Sequence, residues 1–153
     1  MADRDTAHEE ASWVDRAAEA VYGRVFGLVS WLGLPPWFIV TLETKGRRSG
    51  RVHSNVLILT QWGGQRYAVS VLGDGSDWVR NIRAARHEAV IRHGRRQRVR
   101  LEEVPAEERA PVLKAYLKWA LGARHIIGVP LNAPIEEFER IAPDFPVFRI
   151  VKV

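Results

Sequence analysis

The 153-residue chain contains no cysteine. That absence removes disulfides, cysteine-ligated zinc, iron–sulfur clusters and thiol nucleophiles together. There is no Gly-x-Ser-x-Gly elbow, so Ser49 and Ser70 have no support as hydrolytic nucleophiles. The five histidines (His8, His53, His87, His93, His125) show no two-His-plus-carboxylate spacing, and no metal is expected. The Gly-x-x-x-x-Gly-Lys-Ser/Thr loop and the strand–helix alternation of dinucleotide-binding folds are missing too. No fixed-period repeat is present, and 8 Pro and 12 Gly are ordinary usage, which excludes collagen, solenoid and low-complexity readings. The polar start MADRDTAHEE lacks the basic-then-apolar layout of a secretory signal, so a cytoplasmic location is expected. With so few reactive groups, an enzyme built on this chain would take its chemistry from a bound cofactor.

What is present is 46% hydrophobic and 27% charged, enough apolar surface for one core. The expectation is a single domain over 1–153, with a helical segment at 1–34 and a β-rich core at 37–153. Net charge is +5 and unevenly placed. Lys45, Arg47, Arg48 and Arg51 fall within seven residues, and Arg80 to Arg100 holds eight Arg against Glu88 alone. Such a field attracts an anionic partner: nucleic acid, a membrane, or a phosphorylated or polycarboxylate small molecule.

Thr6 and Glu9 have capping-box spacing, and Val14, Ala17, Ala18, Val21, Val25, Leu28, Val29 and Leu32 recur with helical period. A long helix ending near Gly33 is predicted. Strands are expected at 37–42, 55–60, 67–71, 89–91, 97–101 and 147–153, with hairpins at Gly63-Gly64 and at His93-Gly94-Arg95. Helices are expected at 78–85, 111–121 and 134–141, Pro111 either starting or kinking its helix. About six mostly hairpin-connected strands with helices outside them predict an α+β antiparallel barrel.

Val25 to Leu42 is an 18-residue uncharged run, at the lower limit for a membrane span. Pro35 and Pro36 interrupt it, so a core helix followed by a core strand is the expectation. Trp13, Trp31 and Trp37 keep an interface-lying helix as the rival. The turn Lys45-Gly46-Arg47-Arg48-Ser49-Gly50-Arg51 lies between two predicted strands, where backbone N–H groups and guanidinium forks can close on a phosphate. A solvated basic turn is the competing account. In the Arg92 to Arg100 stretch, Val99 and Leu101 alternate with Arg98 and Arg100, the pattern of a strand with a solvated face, and nucleic acid is disfavoured as a partner.

Three stretches in order resemble the deazaflavin-dependent nitroreductase family, split-barrel proteins that use coenzyme F420, an 8-hydroxy-5-deazaflavin. They are Leu42 to Gly50, similar to a Thr-Gly-Arg-Lys/Arg-Ser/Thr-Gly turn; Tyr67 to Gly73; and Trp78 to Ala85. The resemblance implies an FMN-binding-split-barrel-like fold in which Arg47, Arg48, Ser49 and Gly50 hold the coenzyme phosphate. Asn55, Val56, Ser70, Val71 and Leu72 would line the ring, and Trp78 and Asn81 would close the pocket. His53 stands where the family commonly has Arg, and Val56 where Pro is frequent. Substrate-side residues fall in the C-terminal region, where Tyr116, Trp119 and His125 are candidates by location, Tyr116 and His125 for catalysis.

The activity so implied is hydride transfer from the reduced coenzyme to a small electron-poor acceptor: a quinone, an enone or a nitro compound. The alternative is a non-catalytic binding protein for the coenzyme or for an apolar ligand such as a fatty acid. FMN is the rival cofactor. Peripheral membrane association and a homodimer are both compatible with the sequence.

Overall fold

The structure, a computed structural model, describes residues 20, 21, 23–34 and 36–153. The capping pair Thr6/Glu9, together with Trp13, Val14, Ala17, Ala18 and Pro35, lies outside them.

The barrel follows from period-two patterning. In β5 (Arg95–Glu103), Val99 and Leu101 are fully buried while Arg98 and Arg100 face outward. The same arrangement recurs in β1 (Ile39–Lys45), where Val40 and Leu42 point inward. With β2 (Val52–Trp62), β3 (Gln65–Val69), β4 (Glu88–His93) and β6 (Val147–Lys152), these strands form a closed barrel in the order β1-β2-β3-β6-β5-β4, every pairing antiparallel. Closure leaves no open sheet edge. Gly63 and Gly64 turn between β2 and β3 with φ of +54° and +75°, the left-handed pair a two-residue hairpin needs.

Two apolar clusters hold the fold. One fills the barrel with Leu42, Leu59, Val79, Ile82, Leu101 and Phe148, capped by α2 (Asp77–Ala84). The other lies between the barrel and two helices, α3 (Ala110–Tyr116) and α5 (Ile135–Ile141), around Leu113, Leu117 and Phe138. Truncating one such fully buried Leu to Ala costs about 2–5 kcal/mol. Pro111 sits in the first turn of α3 and starts the helix rather than kinking it. This helix ends at Tyr116, earlier than expected, and the link beyond it contains a four-residue helix, α4 (Arg124–Ile127), that carries no periodic signal.

The first helix, α1 (described over 20, 21 and 23–32), departs from expectation. Its apolar stripe was expected in the core, yet Val21, Val25, Leu28, Trp31 and Leu32 are between 49% and 58% exposed. The helix docks through its small and polar side instead. Ser30 Oγ donates to the Arg92 carbonyl at 2.5 Å, and the Gly94 N–H donates to the Ser30 carbonyl at 2.6 Å. Gly33 lies so close to Gly94 that an added Cβ would come within 2.9 Å of the Gly94 Cα. Trp37 and Phe38 belong to the turn that follows, and β1 begins two residues later than expected.

Candidate active site

The basic turn is built by backbone geometry. The Gly46 N–H donates to the Arg51 carbonyl at 2.7 Å, and the Gly50 N–H donates to the Gly46 carbonyl at 2.9 Å. Gly50 has φ +69°, a conformation that favours glycine. At Gly46 the reason for glycine is different: an added Cβ would meet His53 Nε2 at 2.6 Å, so the imidazole lies against bare backbone. Ser49 Oγ accepts the Arg51 N–H at 3.2 Å and stands 3.5 Å from His53 Nε2.

Helix α2 pins this turn. Asp77 and Asn81, four residues apart, share one helical face. Asn81 Oδ1 accepts both the Arg47 N–H at 3.2 Å and Arg47 Nη1 at 3.0 Å, while its Nδ2 donates to Thr44 Oγ1 at 3.4 Å. Arg47 also reaches Asp77 Oδ1 at 3.1 Å. Asn81 and Thr44 are buried, whereas Asp77 is exposed, so the Asn81 bonds are the firmer anchor and the ion pair contributes less than about 1 kcal/mol. A cavity of about 420 Å³ opens beside this arrangement, lined by Arg47, Arg48, Ser49, His53, Asn55 and Asn81 among others.

A second cavity, of about 290 Å³, adjoins it through Asn55 and is mainly apolar, with Val56, Ile58, Val69, Val71 and Leu72 in its walls. Ser70 lines it with its hydroxyl already donated to the Gly73 carbonyl at 2.8 Å, so this side chain shapes the loop. Trp78 is buried against Phe148, ring centroids 5.4 Å apart, and presents part of its surface to the cavity. Tyr116 closes the inner end. Burial pushes its phenol up to about 12, which keeps the hydroxyl protonated.

The structure thus brings Arg47, Arg48, Ser49, His53, Asn55 and Asn81 together in one cavity, and Asn55, Val56, Ser70, Val71, Leu72, Trp78 and Tyr116 in the other. Gly50 shapes the turn without lining either. Asn81 lines the basic cavity and not the apolar one, and His125, exposed on α4, lines neither. Sequence reasoning missed Asp77, Ser54, Ile58, Val69 and Ser76. Ile58 and Val69 stood in runs already read as strands, but Asp77 is 30 residues from Arg47 and carried no signal. A separate cavity of about 580 Å³ is lined by Glu102, Glu103, Glu107, Glu108 and Glu139 and disfavours an anion. Among the described residues no group of His, Asp and Glu is placed to hold a metal ion.

A donor-rich basic cavity beside an apolar one, with Asn55 in both walls, fits an elongated ligand with an anionic end and a flat aromatic head. The closed six-stranded antiparallel barrel that carries these two cavities is of the split-barrel type. Residues 13–121 match the family model described as F420H(2)-dependent quinone reductase, and the chain belongs to that family. It is accordingly an F420H2-dependent reductase with coenzyme F420 as its cofactor.

A comparison with curated proteins gave no match. Among solved structures, a chain described as a domain-swapped dimer has TM-score 0.52 at 17% identity, covering 92% of this chain and 98% of its own. An Agrobacterium tumefaciens protein described as of unknown function has TM-score 0.53 at 12% identity over 74% of this chain; the match spans 47% of that protein's length. A Bacteroides thetaiotaomicron protein provisionally described as a 5-nitroimidazole antibiotic resistance protein has TM-score 0.52 at 10% identity, covering 75% of this chain and 72% of its own. At these identities the likeness concerns the fold.

Proposed function

We propose that the chain transfers a hydride from reduced coenzyme F420 to an electron-poor organic acceptor, a quinone, an enone or a nitro compound. The observation that carries this reading is that a basic and an apolar cavity stand side by side, with Asn55 in the wall of both. Bound there, the reduced deazaflavin supplies the hydride. Arg48, Ser49 and the exchangeable face of Arg47 offer charge-assisted donors to the coenzyme phosphate. Val56, Val71 and Leu72 give the ring apolar contact, and Trp78 and Ile58 stiffen the wall behind it. These walls exclude water and fix the orientation on which hydride transfer depends. Tyr116, whose buried phenol stays protonated, can donate a hydrogen bond to an acceptor oxygen as negative charge develops there.

The test is anaerobic mixing of the protein with reduced coenzyme F420 and a panel of quinones, enones and nitroaromatics, following coenzyme oxidation. Acceptor-dependent turnover with at least one class supports the reading. Saturable binding without turnover across the panel would instead make the chain a coenzyme-binding protein, and preference for FMN would replace the cofactor.

The outward face of α1 supports a second element, peripheral association with an anionic lipid surface. No helix among the described residues is long and apolar enough to cross a membrane. Val25, Leu28, Trp31 and Leu32 of α1 are exposed, as are Trp37 and Trp119, whose rings are 6.3 Å apart, and Arg24, Lys118 and Arg124 are exposed cations. An added Cβ at Gly27 would lie 3.7 Å from Val56, so α1 runs beside the apolar cavity. Sedimentation with anionic but not neutral vesicles is the expected result. A dimer in solution that ignores vesicles would assign the face to a second copy.

A further inference from the structure

This inference rests on the reading above, that the basic cavity receives the anionic end of the coenzyme. One of the cationic side chains lining that cavity is a histidine, whose charge changes within the physiological range. His53 pairs with Thr44 across the β1–β2 ladder and shares the face that Thr44 turns toward Asn81. Its ring rests on Gly46, and its Nε2 stands 3.5 Å from Ser49 Oγ.

The two protonation states present different surfaces to an anion. A neutral imidazole with a lone pair on Nε2 draws the Ser49 hydroxyl proton toward itself and leaves oxygen lone pairs facing the cavity. A protonated imidazole has N–H on both nitrogens, so the Ser49 proton is released to turn toward a ligand, and the ring adds a positive charge. One proton therefore turns the Ser49 hydroxyl into a donor toward the cavity and gives the ring a positive charge. The charged groups that line the cavity with the ring are Arg47 and Arg48 of the turn and Asp77 of α2, whose carboxylate is engaged by Arg47. Lys45 and Glu43 line a different groove with Val52, Glu88, Arg96 and Arg98.

We propose that coenzyme binding is proton-linked at His53: the cavity takes up a proton together with the coenzyme's anionic end. The contribution is present at low pH and is lost as pH rises through the histidine range.

The test is calorimetric titration of the full chain with oxidised coenzyme F420 between about pH 5.5 and about pH 8.5, in two buffers of different ionisation enthalpy. The coenzyme's own groups titrate too, and the variants H53Q and H53R carry that background without the imidazole. The expected result is proton uptake in the unaltered chain beyond that of both variants, with its affinity rising about tenfold more than theirs from the high to the low end. H53R should bind at least as tightly as the unaltered chain at high pH. The same proton uptake and pH dependence in all three proteins would overturn the proposal while leaving coenzyme binding intact. No binding by any of them at any pH would overturn both the proposal and the reading beneath it.

Discussion

Two arginine-rich segments of this chain have charge of the same sign and different surroundings. In the β4–β5 hairpin, Arg98 and Arg100 project from a strand whose alternate residues fill the barrel, Arg96 is paired with Glu43 at 2.5 Å, and the Arg92 guanidinium lies over Trp31 at 5.1 Å. In the Lys45 to Arg51 turn, the backbone is folded on itself and pinned to α2 by a buried asparagine, with neutral donors beside the arginines and a cavity in front of them. Positive charge alone does not mark a binding site. Preorganised donors facing a cavity do, because the cost of ordering them is met in folding rather than on binding.

The sharpest way to break this comparison is to remove arginines from each segment. Arg47→Ala with Arg48→Ala should weaken coenzyme F420 binding at least tenfold, since each charge-assisted bond contributes about 1.5–3 kcal/mol. Arg98→Ala with Arg100→Ala should change it less than about twofold, as surface charges screened by salt do. Calorimetric titration reads both, and equal losses would dissolve the distinction.

The apolar cavity offers a contrast without any arginine. The folded-state Tyr116 hydroxyl titrates near 12 against an ordinary 10.0, so the unfolded chain loses its proton first. The stability gained from Tyr116 is full below about pH 10 and is lost between about pH 10 and pH 12, a fall of about 2–3 kcal/mol. Tyr116→Phe should flatten that part of a urea-denaturation profile, and an unchanged profile would place the fall elsewhere.

Asn81→Ala should lower unfolding free energy by about 1–3 kcal/mol, because the Arg47 N–H and Thr44 lose their partner. It should also weaken coenzyme binding by loosening the turn. A variant as stable and as tight-binding as the parent would show that the turn stands without α2. The smallest effect belongs to Arg96→Ala, where a pair between exposed Arg96 and half-buried Glu43 is lost: about 1 kcal/mol in the same denaturation experiment, and no change in coenzyme affinity.

Much of the barrel was legible because its signals are local. Gly63-Gly64 and Gly94 mark turns by their backbone freedom, and Val99/Leu101 against Arg98/Arg100 shows a strand by alternation alone. The orientation of α1 was not legible. A stripe of Val25, Leu28 and Leu32 has the same period whether a barrel or a solvent boundary covers it, while the docking side, Gly27, Ser30 and Gly33, carries no hydrophobic signal. The basic turn could be read as a candidate site from its glycine-framed arginines, but what makes it a cavity wall is Asn81, 34 residues away. His125 looked near Tyr116 along the chain, and a four-residue helix turns it to the surface instead.

The most direct test of the central claim, that the basic turn and the apolar cavity together hold a deazaflavin coenzyme, is a fluorescence titration of the protein with oxidised coenzyme F420 in parallel with FMN, each at low and high salt. The account predicts saturable binding of coenzyme F420, tighter than that of FMN and only partly reduced by salt, since the apolar ring contact does not depend on it. Binding that falls steeply with salt, or no preference for coenzyme F420 over FMN, would contradict it.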